Sequence, residues 1–407
     1  MKNGLGQRGA VALVAILVSL MGSAAHAGTS GTDAGTPDPS GLATHCPGGT
    51  NCPGQENGPG IYVSESGSSC LWLDDVGPLR FCPESFENTP PRAGGVSSVR
   101  LKGRLWTGAE ATELLSDPIL VRTEGGQKGS LLKVDPSAVA NTSRLGFTYQ
   151  LSGAATPALA LGSTLPKLTL LITVNAAATA YSLELTFTEV AIAGAPFPEK
   201  PDTQLKLYRY QAWYNNPRQH LSGHYCSEPN DAKATLKDKT PLALSVLPGH
   251  QVNGATGVIK ASANSVTVAC VSGAIVSCME NWNYLPWNAT LKAAGNPTLF
   301  LGACIQGKRA AYFAHSKVKP HQNFFSYTTE GTEVLIRDNV LNFANVGVNQ
   351  GNIEAIWDVE GAVCFNPINQ RQPIFALKDW NPQAQLLLPT CTAADIQLHR
   401  IITGKVP

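Results

Sequence analysis

The sequence predicts a mainly β protein, built as a sandwich or a partly closed barrel, with a small disulfide-linked helical hairpin that makes it α+β overall. Three observations lead there. Only 14% of the 407 residues are charged while 39 are Gly and 28 are Pro, which suits short strands joined by tight loops. From about Ser97 to Leu247 the chain passes through short runs of β-branched and aromatic residues, each bounded by Gly, Pro, Asn or Asp. All 10 cysteines follow an N-terminal leader, an even number in an oxidising compartment, so disulfides are expected.

The leader comes first. Lys2 and Arg8 precede an apolar run from Ala10 to Met21, and Ala25-His26-Ala27 places small residues where a signal peptidase reads. Residues 1–27 are therefore expected to be a signal peptide. The apolar run is shorter than the ~20 residues that span a bilayer. No later stretch is long and apolar enough, so no transmembrane segment is expected after cleavage. Cleavage takes Lys2 and Arg8 from the 30 basic residues and none of the 29 acidic ones, leaving a net charge of −1. Phosphate binding needs a basic face, so nucleic acid is not expected as a partner. The expected location is secreted or cell envelope, either periplasm or outer surface, and the expected partner an extracellular carbohydrate or protein.

Residues 28–56 read as a flexible linker: GTSGTDAGTPDPSGLATH has almost nothing to bury. In CPGGTNCPG, Cys46 and Cys52 can bridge locally across a Pro-Gly-Gly turn, closing a loop too short to add much stability. Residues 57–96 form a Cys-containing segment in which Cys70 and Cys82 flank LWLDDVGPLRF and pair with each other. Residues 97–407 form the β-rich domain. Its strands are expected in SVRLKGRLW, in PILVRTEGGQKGSLLKV around a Gly-Gly turn, and in LGFTYQL, KLTLLITV, YSLELTFTEVAI, TQLKLYRYQAW and PLALSVL.

Past Asn264, a candidate N-cap, the spacing of Val268, Cys270, Ala274, Val276 and Cys278 predicts a helix over 265–282 that ends before Tyr284-Leu285-Pro286-Trp287. A second helix is predicted over 297–314, with Pro297 in its first turn and Leu299, Ala303, Cys304, Gly307 and Ala311 near one face. TEVLIRD, IEAIWDV and GAVCF return to strand alternation, and WNPQAQLLLPTCTAADIQLHRII carries no clear pattern.

The segments ACVSGAIVSCMENWNYLPW, ACIQGKRAAYF, EGTEVLIRD and EAIWDVEGAVC, in this order and spacing, resemble the ADYC-domain proteins. The resemblance runs from about Ser97 to Cys364. It rests most on Gly273-Ala274, Cys278, Tyr284-Pro286-Trp287, Ala303-Cys304, Gly331-Thr332 and Glu354-Ala355-Trp357-Gly361-Ala362-Cys364. It implies an exported protein of the kind found in myxobacteria and related bacteria, and no particular reaction. The Ala-Asp-Tyr-Cys motif of the family falls on Ala310, Ala311, Tyr312 and Phe313, so its Asp and its Cys are replaced. The Gly-Asp-Gly run that follows it is replaced by AHSKVKPHQNFFSY.

Helix geometry bears on the bridges. Cys270 and Cys278 on one helix would stand ~12 Å apart, beyond the ~4.4–6.8 Å between α-carbons that a disulfide allows. An antiparallel helix pair would bring Cys278 to Cys304. The family pattern would place a cysteine at 313 opposite Cys270, and here that position is Phe313. Cys226 is then the candidate partner of Cys270, and Cys364 with Cys391 completes the set.

Several constellations could carry chemistry, yet none identifies a catalytic residue. His220 and His224 lie four apart beside Cys226, but Asn215, Asn216, Pro217 and Gly223 put them in a loop, and position 221 is Leu, not the Glu of a metalloprotease helix. His315 and His321 bracket a basic loop with Lys317 and Lys319, a candidate binding loop. Carboxylates at Glu330, Glu333, Asp338, Glu354, Asp358 and Glu360 could supply the pair an extracellular glycosidase-like hydrolase needs, the alternative to a non-enzymatic surface or extracellular binding module. Aromatic residues cluster at Tyr208, Tyr210, Trp213, Tyr214 and Tyr225, and at Trp282, Tyr284 and Trp287, as core anchors or as ligand platforms. There is no CxxC pair, no Gly-x-Ser-x-Gly elbow and no phosphate loop, so neither a metal nor a cofactor is expected.

Overall fold

A computed structural model of the chain describes residues 62–63, 69–74, 79–91, 95–107, 111–134, 143–176, 178–193, 207–226, 241–254, 256–271, 273–280, 282–308, 334–338, 348, 351–369, 388–395 and 401–405. In chain order the strands are β1 (Tyr62–Val63), β2 (Ser69–Trp72), β3 (Arg80–Thr89), β4 (Ser98–Trp106), β5 (Ala111–Leu115), β6 (Leu120–Thr123), β7 (Lys128–Val134), β8 (Gly146–Leu151), β9 (Ala158–Leu161), β10 (Leu168–Ala176), β11 (Thr179–Ala193), β12 (Leu207–Asn216), β13 (Leu221–His224), β14 (Leu244–Val252), β15 (Ile259–Cys270), β16 (Val334–Arg337), β17 (Ile353–Asp358), β18 (Gly361–Phe365) and β19 (Ile401–Lys405). The helices are α1 (Ala274–Glu280), α2 (Ala289–Ala293) and α3 (Pro297–Lys308).

The first fifteen strands form one antiparallel sheet, in the order β1-β2-β3-β15-β14-β12-β11-β10-β6-β7-β8-β9. β4 and then β5 are added on β3, and β13 on β12. The sheet is not closed, but it curls. Ile119 donates its N–H to Val99 on β4 and accepts from Leu131 on β7, so strands far apart in the sheet order meet across a shared interior. Phe86 of β3, Phe147 of β8 and Phe187 of β11 fill that interior, their ring centroids 5.5 to 6.3 Å apart. Edge and tilted ring contacts at this range are favourable beyond the area they bury.

β16, β19, β17 and β18 form a second antiparallel sheet. A second apolar core joins it to the first. Leu247, Ile259 and Ala269 of β14 and β15 face Ile275, Cys278, Leu301 and Ile305 of α1 and α3, and these in turn face Ala355, Trp357, Ala362 and Ile401. α3 is buried from Phe300 through Gly307, which is the pattern of a helix enclosed on all sides. The bridges join Cys70 to Cys82, Cys226 to Cys270, Cys278 to Cys304 and Cys364 to Cys391. Cys46 and Cys52 lie outside the described residues, as do the expected signal peptide and linker.

The helix predicted over 265–282 begins later. Ser265 to Cys270 end β15, and the helix is only Ala274–Glu280. The reason is double burial. Val266, Val268 and Cys270 face the first core, while Ala269 faces the second, so β15 shows no polar face to betray its period. Cys270 and Cys278 therefore sit on a strand and a helix, and the eight-residue helical spacing argument does not apply to them. Cys278 of α1 and Cys304 of α3 are bridged, as a helix pair requires. The helix predicted over 297–314 is described as far as Lys308, and Leu299, expected on its buried face, is 46% exposed. β3, from the segment ahead of residue 97, pairs with both β4 and β15.

Candidate functional site

Of the residues that carry the resemblance, Cys278, Tyr284, Trp287, Ala303, Cys304, Ala355, Trp357 and Ala362 share one buried core with α3, while Gly331 and Thr332 lie outside the described residues. Gly302 lies against Ile259 and Val359, where a β-carbon would stand 2.7 Å from a methyl of each. Gln306, fully buried, donates from Nε2 to the carbonyl oxygens of Thr256 and Val359, both at 3.0 Å. Trp357 donates its indole N–H to Thr403 Oγ1 at 2.7 Å. Tyr284 donates its hydroxyl to Asp338 Oδ2 at 2.7 Å, and burial, followed by the adjacent Asp338 charge, holds the phenol well above its ordinary pKa. Trp287 is buried, and Trp282 is covered by the Lys308 ammonium, 4.3 Å from its ring centre. α2, unforeseen in the sequence, is capped by Asn288, whose Oδ1 accepts from the N–H groups of Thr290 and Leu291.

The carboxylates of the hydrolase alternative divide. Asp338 and Glu354 are fully buried, and Glu354 sits where β17 slips register against β19. Asp358 turns back on its own chain, accepting the N–H of Val359. Glu360 lies in the turn between β17 and β18. Glu330 and Glu333, the loop of His315 and His321, and the motif positions Ala311 and Phe313 lie outside the described residues.

An open groove of about 540 Å3 lies elsewhere, lined by Glu87, Lys102, Glu113, Leu115, Gln251 and Ser262 among others. Its acids are engaged. Glu87 accepts from the hydroxyls of Ser85 and Ser265, the latter at 2.6 Å, and Glu113 is paired with Lys102 at 3.1 Å. Strand register sets Glu87 opposite Arg100 and Glu113 opposite Arg104 on the other edge of β4. Four residues along and two strands across put their α-carbons ~16 Å apart, with Lys102 between them. That is not the close pair a glycosidase uses.

The histidine run does not converge. His220 occupies the turn before β13 with φ of 54°, His224 lies on β13 itself, and Cys226 is bonded to Cys270. Among the described residues no group of three metal-ligating side chains gathers.

The aromatic run of β12 splits by strand alternation. Tyr208, Tyr210 and Tyr214 are buried, and the Tyr210 hydroxyl oxygen accepts the Leu145 N–H at 2.6 Å. Trp213 points to the other face and is 38% exposed. The His224 ring meets it at 88° with centroids 4.9 Å apart, and partial burial lowers the His224 pKa. Register places Thr186 and His224 on either side of Trp213, and Glu184 and Ser222 on either side of Asn215. Glu184 is held by Arg122 in a two-pronged ion pair at 2.9 and 3.0 Å, reaching from β6 across β10, and accepts from Asn215 Nδ2 at 3.3 Å.

A curled antiparallel sheet, a buried helix clamped between two sheets, and disulfides bridging neighbours within each layer define a cross-linked α+β scaffold. The ADYC-domain family model matches residues 162–371, just over half of the chain, and the chain belongs to that family. The match takes in β10 to β18 and all three helices. No curated protein and no solved structure matches the chain.

Proposed function

We propose that the protein is exported and acts as a non-enzymatic binding module at the cell envelope or outside the cell. The observation that carries this reading is Trp213, a large indole 38% exposed on the outer sheet face, with Thr186, His224, Asn215 and Ser222 as its strand neighbours. Large aromatic side chains contribute most where they are buried, so one kept outside by strand alternation is available to a ligand. Three features support it: the leader over residues 1–27, the four bridges, and signature residues engaged in packing around α3. Among the described residues no helix is long and apolar enough to cross a membrane.

Two measurements test the reading. Fractionation of expressing cells, with N-terminal sequencing of the product, should find a chain beginning at Gly28 outside the cytoplasm. Purified protein should release no chromophore from a panel of chromogenic glycosides and esters. Turnover abolished by Glu354→Gln or Asp338→Asn would instead establish the hydrolase.

A further inference from the structure

We propose that the outer face of β11, β12 and β13 around Trp213 is a subsite for a neutral carbohydrate. This rests on the reading of the chain as a binding module and names its ligand. Six side chains make the patch: Thr186, Trp213 and His224 in one cross-strand row, and Glu184, Asn215 and Ser222 in the next. The rows are two residues apart, so the patch measures ~7 Å along the strands and ~10 Å across them, room for one or two sugar rings.

Its chemistry is that of sugar recognition. A pyranose ring offers a face of C–H groups and a rim of hydroxyls. The C–H face suits the indole of Trp213, which His224 holds in place by its perpendicular ring. The rim suits groups that both donate and accept: the Asn215 amide and the hydroxyls of Thr186 and Ser222.

Charge narrows the class further. The Arg122 guanidinium neutralises Glu184 through two hydrogen bonds, and partial burial favours the uncharged form of His224. The patch therefore carries no net charge. A polyanion would find the Arg122 guanidinium already engaged, and a cationic ligand the Glu184 carboxylate. An uncharged polyhydroxyl ligand meets neither penalty. The ion pair also stiffens the rim, because Glu184 is anchored by Arg122 and Asn215 together. Groups held in advance lose less freedom when a ligand arrives.

The test is affinity electrophoresis of the full mature chain in gels containing hydroxyethylcellulose, xylan, glycol chitin or polygalacturonate, with titration calorimetry against cellohexaose and chitohexaose. The expected result is retardation by at least one uncharged polysaccharide and none by polygalacturonate. Trp213→Ala should weaken that binding tenfold or more, and Asn215→Ala should weaken it less. Retardation by none of the uncharged polymers, or retardation unchanged in Trp213→Ala, overturns the carbohydrate assignment. A parallel measurement separates it from the underlying reading: sedimentation of the chain with isolated cell envelopes. Envelope binding lost in Trp213→Ala but kept after glycosidase digestion of the envelopes and lost after protease digestion leaves a binding module whose ligand is a protein. Trp213→Ala that alters neither polysaccharide nor envelope binding removes both.

Discussion

Gly307 of α3 lies directly against the indole of Trp357 on β17: a β-carbon at 307 would stand 3.3 Å from Trp357 Cδ1. One turn and a half earlier, Gly302 meets Ile259 and Val359 more closely still. The two glycines let α3 approach both β15 and the β17–β18 hairpin, and so allow a short helix to serve as the centre of a two-sheet core.

The glycines make the first prediction. Gly→Ala inside a helix ordinarily gains about 1 kcal/mol in propensity. At Gly302 the new methyl would collide with stiff, β-branched side chains, and overpacking of this kind costs about 1–3 kcal/mol. Gly302→Ala should therefore lower the midpoint of urea unfolding, whereas Gly307→Ala, where the contact is looser, should lower it less. Stabilisation by Gly302→Ala would mean that α3 is not enclosed.

The bridges make the second. Cys226–Cys270 spans 44 residues and Cys70–Cys82 only 12. If a bridge acts by restricting the unfolded chain, removing the longer costs about 4 kcal/mol and the shorter about 3 kcal/mol. Denaturant unfolding of the two double Cys→Ser variants should rank them in that order.

His250 makes the third. Its Nδ1 lies 2.8 Å from the Pro248 carbonyl and its Nε2 3.0 Å from Thr298 Oγ1, tying β14 to the first turn of α3. Burial lowers its pKa below the ordinary 6.5, although the Pro248 hydrogen bond works against that shift. The unfolded chain then binds the proton more readily, so this contribution to stability is present above pH 6.5 and is lost as pH falls toward the folded pKa. The Tm of the wild type should fall more steeply below pH 6.5 than that of His250→Gln. Parallel curves would show that His250 does not titrate on unfolding.

Much of the fold was legible, and for a common reason. β4, β10 and β11 alternate between a core face and a solvent face, so their period of two is written in the residues. The end of β15 was not legible as a strand because both of its faces are buried, and small apolar residues flow from it into α1 without a break in character. Pro297 marks the start of α3, but the single buried face expected for it does not exist: from Phe300 to Gly307 it is buried on all sides, and periodicity cannot select one. The candidate ligand patch was half legible. The alternation in YRYQAWY separates Trp213 from the tyrosines around it, but His224, Glu184 and Arg122 reach it through strand pairings from 11 to 91 residues away in the chain, which a single sequence does not display.

The tryptophans divide into scaffold and surface: Trp357 is fully buried in the core it shares with α3, and Trp213 stands exposed on the outer face of β12. Thermal unfolding of Trp357→Phe beside Trp213→Ala tests it most directly. Trp357→Phe removes ring volume and the hydrogen bond to Thr403 from a fully buried site, and should lower Tm by roughly 4 °C or more. Trp213→Ala, at an exposed position, should leave Tm within about 2 °C of the wild type. A drop for Trp213→Ala as large as that for Trp357→Phe would contradict the division.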